Sequence, residues 1–309
     1  MMNTGNNQLT QEIRDFCRQE LRLDICGIGG VDRFAETPEG HRPEQLLPGA
    51  LSVLSIGLPI LPASYDWDRR LEGSSLYPEI EIEASKNTVP AARRETVVHI
   101  RNEIGTGAYR ALYDLVSERL DVMTYEIGRY LLMKGYNVLW YQTSSPIMVS
   151  LARTGGDTWR KRYLISPFSQ AIAGLMCGLG TLGVHHCLIT EKYGPRLRLN
   201  SVITDAPLTP DPIIENPLCI DCNKCVEACP VGALGDPGDI ETENHGSMSM
   251  KMARMDKQKC LASRSIYHQK LTKDNLFVNA QNCDCGGICV KVCPIGKAKK
   301  PRPLSKVEN

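Results

Sequence analysis

No sign of charge predominates in this chain. Thirty-six Lys and Arg stand against 35 Asp and Glu, a formal charge of +1. That balance argues against a protein built to coat nucleic acid or acidic lipid by bulk electrostatics. No apolar run is long enough to cross a bilayer either. The longest, Gly49 to Ala63, is about fifteen residues and is broken by Pro59 and Pro62. The opening MMNTGNNQLTQEIRDF holds neither an apolar h-region nor a twin arginine, so no signal peptide, no membrane contact and a cytoplasmic location are expected. No repeat spans the chain. With 42% hydrophobic and 23% charged residues in 309 positions, the composition excludes disorder and allows two domains.

What the chain does have is cysteine. There are thirteen, and nine lie between Cys219 and Cys293. A chain of this length needs no disulfide staples, so such crowding points to metal. The first motif, Cys219-Ile-Asp-Cys222-Asn-Lys-Cys225-Val-Glu-Ala-Cys229-Pro230, is C-x2-C-x2-C-x3-C-P. Three thiolates at steps of three wrap one corner of a four-iron cubane, and the fourth points to a second cluster. Zinc sites use paired C-x2-C knuckles without a trailing Cys-Pro. The second motif is irregular: Cys260, then Cys283-Asp-Cys285-Gly-Gly-Ile-Cys289-Val-Lys-Val-Cys293-Pro294. Crossed ligation assigns Cys219, Cys222, Cys225 and Cys293 to one cluster. Cys229, Cys260, Cys289 and one of Cys283 or Cys285 then hold the other. Cys285 is favoured, because its gap to Cys289 is nearer the usual spacing, with Cys283 the alternative.

Upstream, the periodicity predicts a helix over 9–22, with Cys17 as a plain core thiol on its apolar stripe. A buried strand is expected over 52–58 and a long surface excursion over 64–95. A helix over 108–134 should stop at Gly135, and a strand follows over 136–141. A short helix starts in SSPIMVSLAR (144–153). A helix within 170–190 then precedes the glycine run, and a strand covers 199–204. Helices alternating with strands indicate an α/β (α+β) layered domain. The proline-rich 205–217 forms a stiff connection, with the domain boundary between 1–212 and 213–309.

Gly178-Leu-Gly180-Thr-Leu-Gly183 satisfies G-x-G-x-x-G, but with a helix before it and a strand after it, the reverse of the dinucleotide-binding order. The glycines are expected instead to let backbone approach something bulky. In a strand, His185 and His186 would face opposite sides, so at most one would reach a site, and a satisfied or surface imidazole is the ordinary reading. The tail GKAKKPRPLSK, with Lys297, Lys299, Lys300, Arg302 and Lys306, reads as a solvated basic tail.

Several islands, in order, resemble the epoxyqueuosine reductases and reductive dehalogenases: LLPGALSVLSIGL (46–58), SSPIMVSLAR (144–153), CGLGTLGVHHCLIT (177–190) and ITDAPLTPD (203–211) leading into the first cysteine motif. The resemblance implies a nitroreductase-related, corrinoid-binding-type domain followed by a two-cluster ferredoxin-like domain. Electrons from a low-potential ferredoxin- or flavodoxin-type donor would reach cobalamin, and the reduced cobalt would act on an organic substrate. By this resemblance Gly178, Gly180 and Gly183 are candidates to approach the macrocycle. The chain departs from the family where the queuosine enzymes carry glycine-x-aspartate-tyrosine-histidine. It has Gly107-Ala108-Tyr109-Arg110 there, so the proposed acid is an alanine. Tyr109 and Arg110 become the candidate proton donor and anion clamp.

The expected activity is therefore iron–sulfur reduction of a small or medium organic substrate. An electron-transfer or corrinoid-reactivating protein that serves a partner is the first alternative, and epoxyqueuosine reduction on tRNA the second. The tRNA role is disfavoured by Ala108 and by the short stretch after Pro294, which leaves no room for a helical-repeat extension. Anaerobically purified protein is expected to carry about eight irons per chain. A reproducible value near four in an iron assay refutes the two-cluster reading.

Overall fold

The computed structural model describes residues 2–23, 25–61, 91–143, 167–229, 232–256, 260 and 287–296, with side chains for all of these but 2–6, 91–111 and 288. Four strands make the main sheet: β1 (Ile25–Gly30), β2 (Ser52–Pro59), β3 (Val138–Trp140) and β6 (Leu197–Thr204), in the order β1-β2-β6-β3. Ile25 pairs with Gly57, Ser52 with Thr204 and Val138 with Thr204, each in an antiparallel ladder. Alternating helices and strands usually signal parallel crossovers. Here every described pairing is antiparallel, which sets the fold on the α+β side.

The two central strands are covered on both faces, which is why β2 reads in sequence as one unbroken apolar run. Leu54 and Ile56 of β2 and Val202 of β6 face one core, while Val53 and Ile203 face the other. The first core is closed by α1 (Met2–Asp15), which continues into a π-helical turn over Phe16–Glu20, and by α3 (Ala91–Met133). Leu9, Ile13 and Cys17 supply one stripe. Cys17 is an ordinary buried thiol, pushed far up by its hydrogen bond with Cys26 and by burial. Val116, Leu120, Met123, Ile127 and Leu131 supply the other stripe. Helix α3 ends where Gly135 takes φ +91 and the Tyr136 N–H returns to Leu131 O at 3.1 Å. That backbone shape favours glycine.

Helix α3 begins at Ala91, well before the expected Ala108. Tyr109 and Arg110 therefore sit in mid-helix, not at its start, and their side chains lie outside the described residues. The excursion over 64–95 lies outside them too, apart from its last residues, which form the start of α3. So does the 144–153 segment. A short helix, α2 (Pro43–Leu46), precedes β2, and α4 (Gln170–Met176), N-capped by Ser169 through its hydroxyl, packs on the second face of the sheet.

The 205–217 connection is stitched to the sheet. Asp211 accepts from Ile28 N–H at 2.9 Å and pairs with Arg14 at 2.7 Å, and Thr209 N–H reaches Thr10 Oγ1 at 2.8 Å. Between the cysteine motifs stands a hairpin outside the elements expected above, β7 (Ile240–His245) and β8 (Met248–Ala253). Its Met248, Met250 and Met252 alternate inward and join Phe34, Val53 and Leu175 in the second core. The two sides of the expected boundary at 212 thus share one hydrophobic cluster. Among the described residues, no helix is long and apolar enough to cross a membrane.

Met250→Ala is expected to cost about 2–5 kcal/mol, as for other buried large-to-small changes. Ser249→Ala, on the exposed side of the same strand, is expected to stay within about 0.5 kcal/mol. Urea unfolding followed by far-UV circular dichroism checks the difference.

Candidate metal centre

The first cysteine motif is an irregular loop that runs into a single helical turn, α5 (Lys224–Glu227). Asp221 and Asn223 flank Cys222 and both adopt left-handed backbone, at φ +52 and +55. Asp and Asn tolerate this region best after glycine. Asp221 is also tied to Lys251 of the hairpin at 2.9 Å, and Leu218 N–H is held by Thr181 Oγ1 at 2.8 Å.

Coiled in this way, the loop places Cys219, Cys222 and Cys225 on the wall of a small cavity that is partly open to solvent, and Cys293 lines it too. Among the described residues no three His, Cys, Asp or Glu side chains gather as a site for one metal ion. The four thiols instead surround a volume. Burial, with Cys219 adding to it, pushes the Cys225 thiol up to about 12. Burial likewise raises Cys293, against the pull of the Ile295 backbone and Arg196.

Cys293 is brought there by two devices. Arg196, buried just ahead of β6, donates to Ile295 O at 2.7 Å, to Lys291 O at 3.2 Å and to Cys293 O. These three carbonyls surround the end of α6 (Ile288–Val292). The second device is a backbone-to-backbone contact between Gly194 and Gly296. A Cβ on Gly194 would lie 2.0 Å from Ile295 O, and one on Gly296 would lie 2.0 Å from Gly194 N. Nothing local in the sequence marks Arg196.

Cys229 and Cys289 pack in the same small cluster as Cys219 and Cys225, and Cys229 Sγ accepts from Ala233 N–H at 3.2 Å. Cys289 also meets Cys187 against Ile60 and Val290. Burial pushes Cys187 up to about 11, with Arg198 opposing and with Cys260 and Cys293 close enough to add to it. Cys187 belongs to the α/β part and was not singled out from the sequence. Cys283 and Cys285 lie outside the described residues.

The segment expected as a continuous strand after the glycines is a small hairpin, β4 (Thr181–Leu182) and β5 (Leu188–Ile189), joined by a turn that carries both histidines. The alternation argument for His185 and His186 therefore does not apply, and both turn inward. His186, at φ +63, hydrogen-bonds through Nε2 to Ala253 O. His185 lies on the cavity wall, 4% exposed. Burial, with His186 adding to it, pushes its imidazole down to about 4. Nδ1 accepts from Cys187 N–H at 3.1 Å. Among the described residues its Nε2 is one of four buried side-chain polar atoms with no partner. Asn223 Oδ1, on the same cavity, is another.

The three glycines have neighbours within the chain. A Cβ would lie 2.2 Å from Pro212 O at Gly178, 2.1 Å from Ile189 O at Gly180, and 2.6 Å from the Ile189 side chain at Gly183. Close approach to the 205–217 connection accounts for Gly178, and close packing within the hairpin accounts for Gly180 and Gly183.

Residues 212–235 match the 4Fe-4S binding domain family. The epoxyqueuosine reductase of Bacillus subtilis (strain 168) is 30% identical over 124 residues, which cover 40% of this chain and 28% of the relative. That of Xanthomonas campestris pv. campestris is 24% identical over 264 residues, 83% of this chain and 55% of the relative. The tetrachloroethene reductive dehalogenase of Desulfitobacterium hafniense is 31% identical over 135 residues, 40% of this chain and 22% of the relative. The chain thus spans about half or less of the length of these curated relatives. A crystal structure of selenomethionine-labelled epoxyqueuosine reductase matches the fold with a TM-score of 0.50 at 18% identity, covering 94% of this chain and 66% of that one. The cysteine motif, the fold around it and these relatives agree: the chain is similar to the epoxyqueuosine reductases and reductive dehalogenases.

Proposed function

We propose that this chain is an iron–sulfur oxidoreductase that holds two [4Fe-4S] clusters and passes low-potential electrons to an acceptor in residues 1–212. One cluster rests on Cys219, Cys222, Cys225 and Cys293. The other rests on Cys229, Cys260, Cys289 and Cys285, with Cys283 as the alternative to the last. The observation that carries this reading is the cavity on which four cysteines from two distant motifs converge. The donor set fits a thiolate-ligated cluster: raised, buried thiols exchange their protons for metal, and an imidazole nitrogen without a partner belongs to a residue that lines the same cavity. When bound, such clusters supply one-electron transfer.

The chain's own residues arrange access and enclosure. Ile220 lines the cavity and is 62% exposed, so this wall is where a ferredoxin- or flavodoxin-type donor approaches. Arg196 fixes the opposite wall. The acceptor we infer is cobalamin, on the strength of the family resemblance. Gly178, Gly180 and Gly183 stay the candidates to approach it through backbone, with Pro212 and Ile189 already close on the side where a Cβ would stand. Tyr109 and Arg110 remain the candidate donor and anion clamp. The substrate is a small organic molecule, or epoxyqueuosine in tRNA as the names of the relatives suggest, with another group then replacing the acid absent at Ala108.

Cys219→Ser and Cys293→Ser are expected to abolish the same EPR signal, and Cys229→Ser a different one. Loss of one identical signal in Cys219→Ser and Cys229→Ser refutes the crossing. Of Cys283→Ser and Cys285→Ser, only the latter is expected to lose a cluster.

Incubation of the full chain with cobalamin under anaerobic conditions, followed by desalting, is expected to leave about one cobalt per chain, as for a dedicated cofactor site. Retention supports the enzyme reading, and turnover of an organohalide against epoxyqueuosine tRNA then separates the two substrate classes. No retained cobalt removes the cobalamin inference and leaves an electron carrier that serves a partner.

A further inference from the structure

The His185 ring is oriented from both sides. Cys187 N–H is a donor, so Nδ1 is an acceptor and carries no proton; in the neutral ring the proton is therefore on Nε2. Gly183 leaves the space in which the ring lies, since a Cβ there would be 3.0 Å from Cε1 and 3.3 Å from Nε2. The ring thus holds a buried N–H on the cavity wall that the four cysteines share, and nothing among the described residues accepts it. Buried donors in folded proteins are nearly always paired. Its neighbour His186 shows the contrast, with its Nε2 taken by Ala253 O.

We propose that His185 donates a hydrogen bond from Nε2 to a sulfur of the cluster on Cys219, Cys222, Cys225 and Cys293, and thereby raises that cluster's reduction potential. This inference rests on the ligand set proposed above. The physical reason is charge: one-electron reduction makes the cluster more negative, so a fixed N–H stabilises the reduced form more than the oxidised one. Hydrogen bonds to cluster sulfur are among the determinants of potential. His185 acts as a positioning and tuning residue here, donating to the cluster without ligating iron.

The test uses the full-length, cluster-loaded protein. Potentiometric titration is followed through the EPR signal that Cys219→Ser abolishes, in wild type, His185→Leu and His185→Gln. His185→Leu is expected to disfavour reduction at least tenfold, a drop of about 59 mV for one electron. His185→Gln, which retains an N–H donor, is expected to recover part of that drop. In reduced wild-type protein labelled with ¹⁵N-histidine, pulsed EPR is expected to show one histidine nitrogen and an exchangeable proton coupled to this cluster, and His185→Gln to remove the nitrogen coupling. Equal potentials in wild type and His185→Leu overturn the proposal. So does the absence of histidine coupling in wild type, a measurement that stands even if a variant fails to assemble. If Cys219→Ser leaves every cluster signal intact, the ligand assignment itself falls. An intact, assigned cluster without the coupling refutes His185 alone.

Discussion

Everything in this structure turns on the problem of gathering thiols together away from water. Thiolates close together repel one another, and burial removes the solvent that would screen them. The raised thiols of Cys225 and Cys293 register that penalty directly. A site of this kind persists only if fixed donors and positive charge are supplied by the surrounding chain. Arg196 places its guanidinium beside Cys293, and the left-handed residues Asp221 and Asn223 bend the loop so that three cysteines share one wall.

Those supports come from both the α/β part and the cysteine segments. The cysteine segments contribute the thiols, whereas the α/β part contributes Arg196, His185 and the glycine contact at Gly194. The turn from His185 to Cys187 is especially economical in this respect. One of its side chains faces the first group of cysteines, and another packs beside Cys289 of the second. A change in that turn therefore touches both groups at once. The methionine face of β8 then fastens the hairpin between the motifs into the second core.

How much of this was legible in sequence depends on the range of the interaction. The stripe of α1, the run of β2 and the stop at Gly135 follow from neighbours a few residues apart, and the sequence read them well. The C-x2-C-x2-C-x3-C-P motif is equally local. Met248, Met250 and Met252 carry a plain two-residue alternation that predicts a strand, but they were hidden between more conspicuous cysteines. Arg196 could not be found at all, because its partners at Lys291, Cys293 and Ile295 lie almost a hundred residues away. The glycines at 178, 180 and 183 were visible, yet their reason was not: Pro212 and Ile189 become their neighbours only in the folded chain. The histidine pair failed for a related reason, since two short strands and a turn stand where one strand was expected.

The sheet order has a consequence for how the molecule comes into being. Strand β2 lies against β6, so Ser52 must find Thr204 before either core can close. Contacts between segments so far apart in sequence pay their loop-closure entropy early and return it late, and such topologies fold slowly. Arg196 and the Gly194 turn immediately precede β6, and they hold the end of the second cysteine motif. The scaffold for that motif therefore exists only once the central ladder has formed. Any cluster carried by that motif would therefore form on a sheet already assembled.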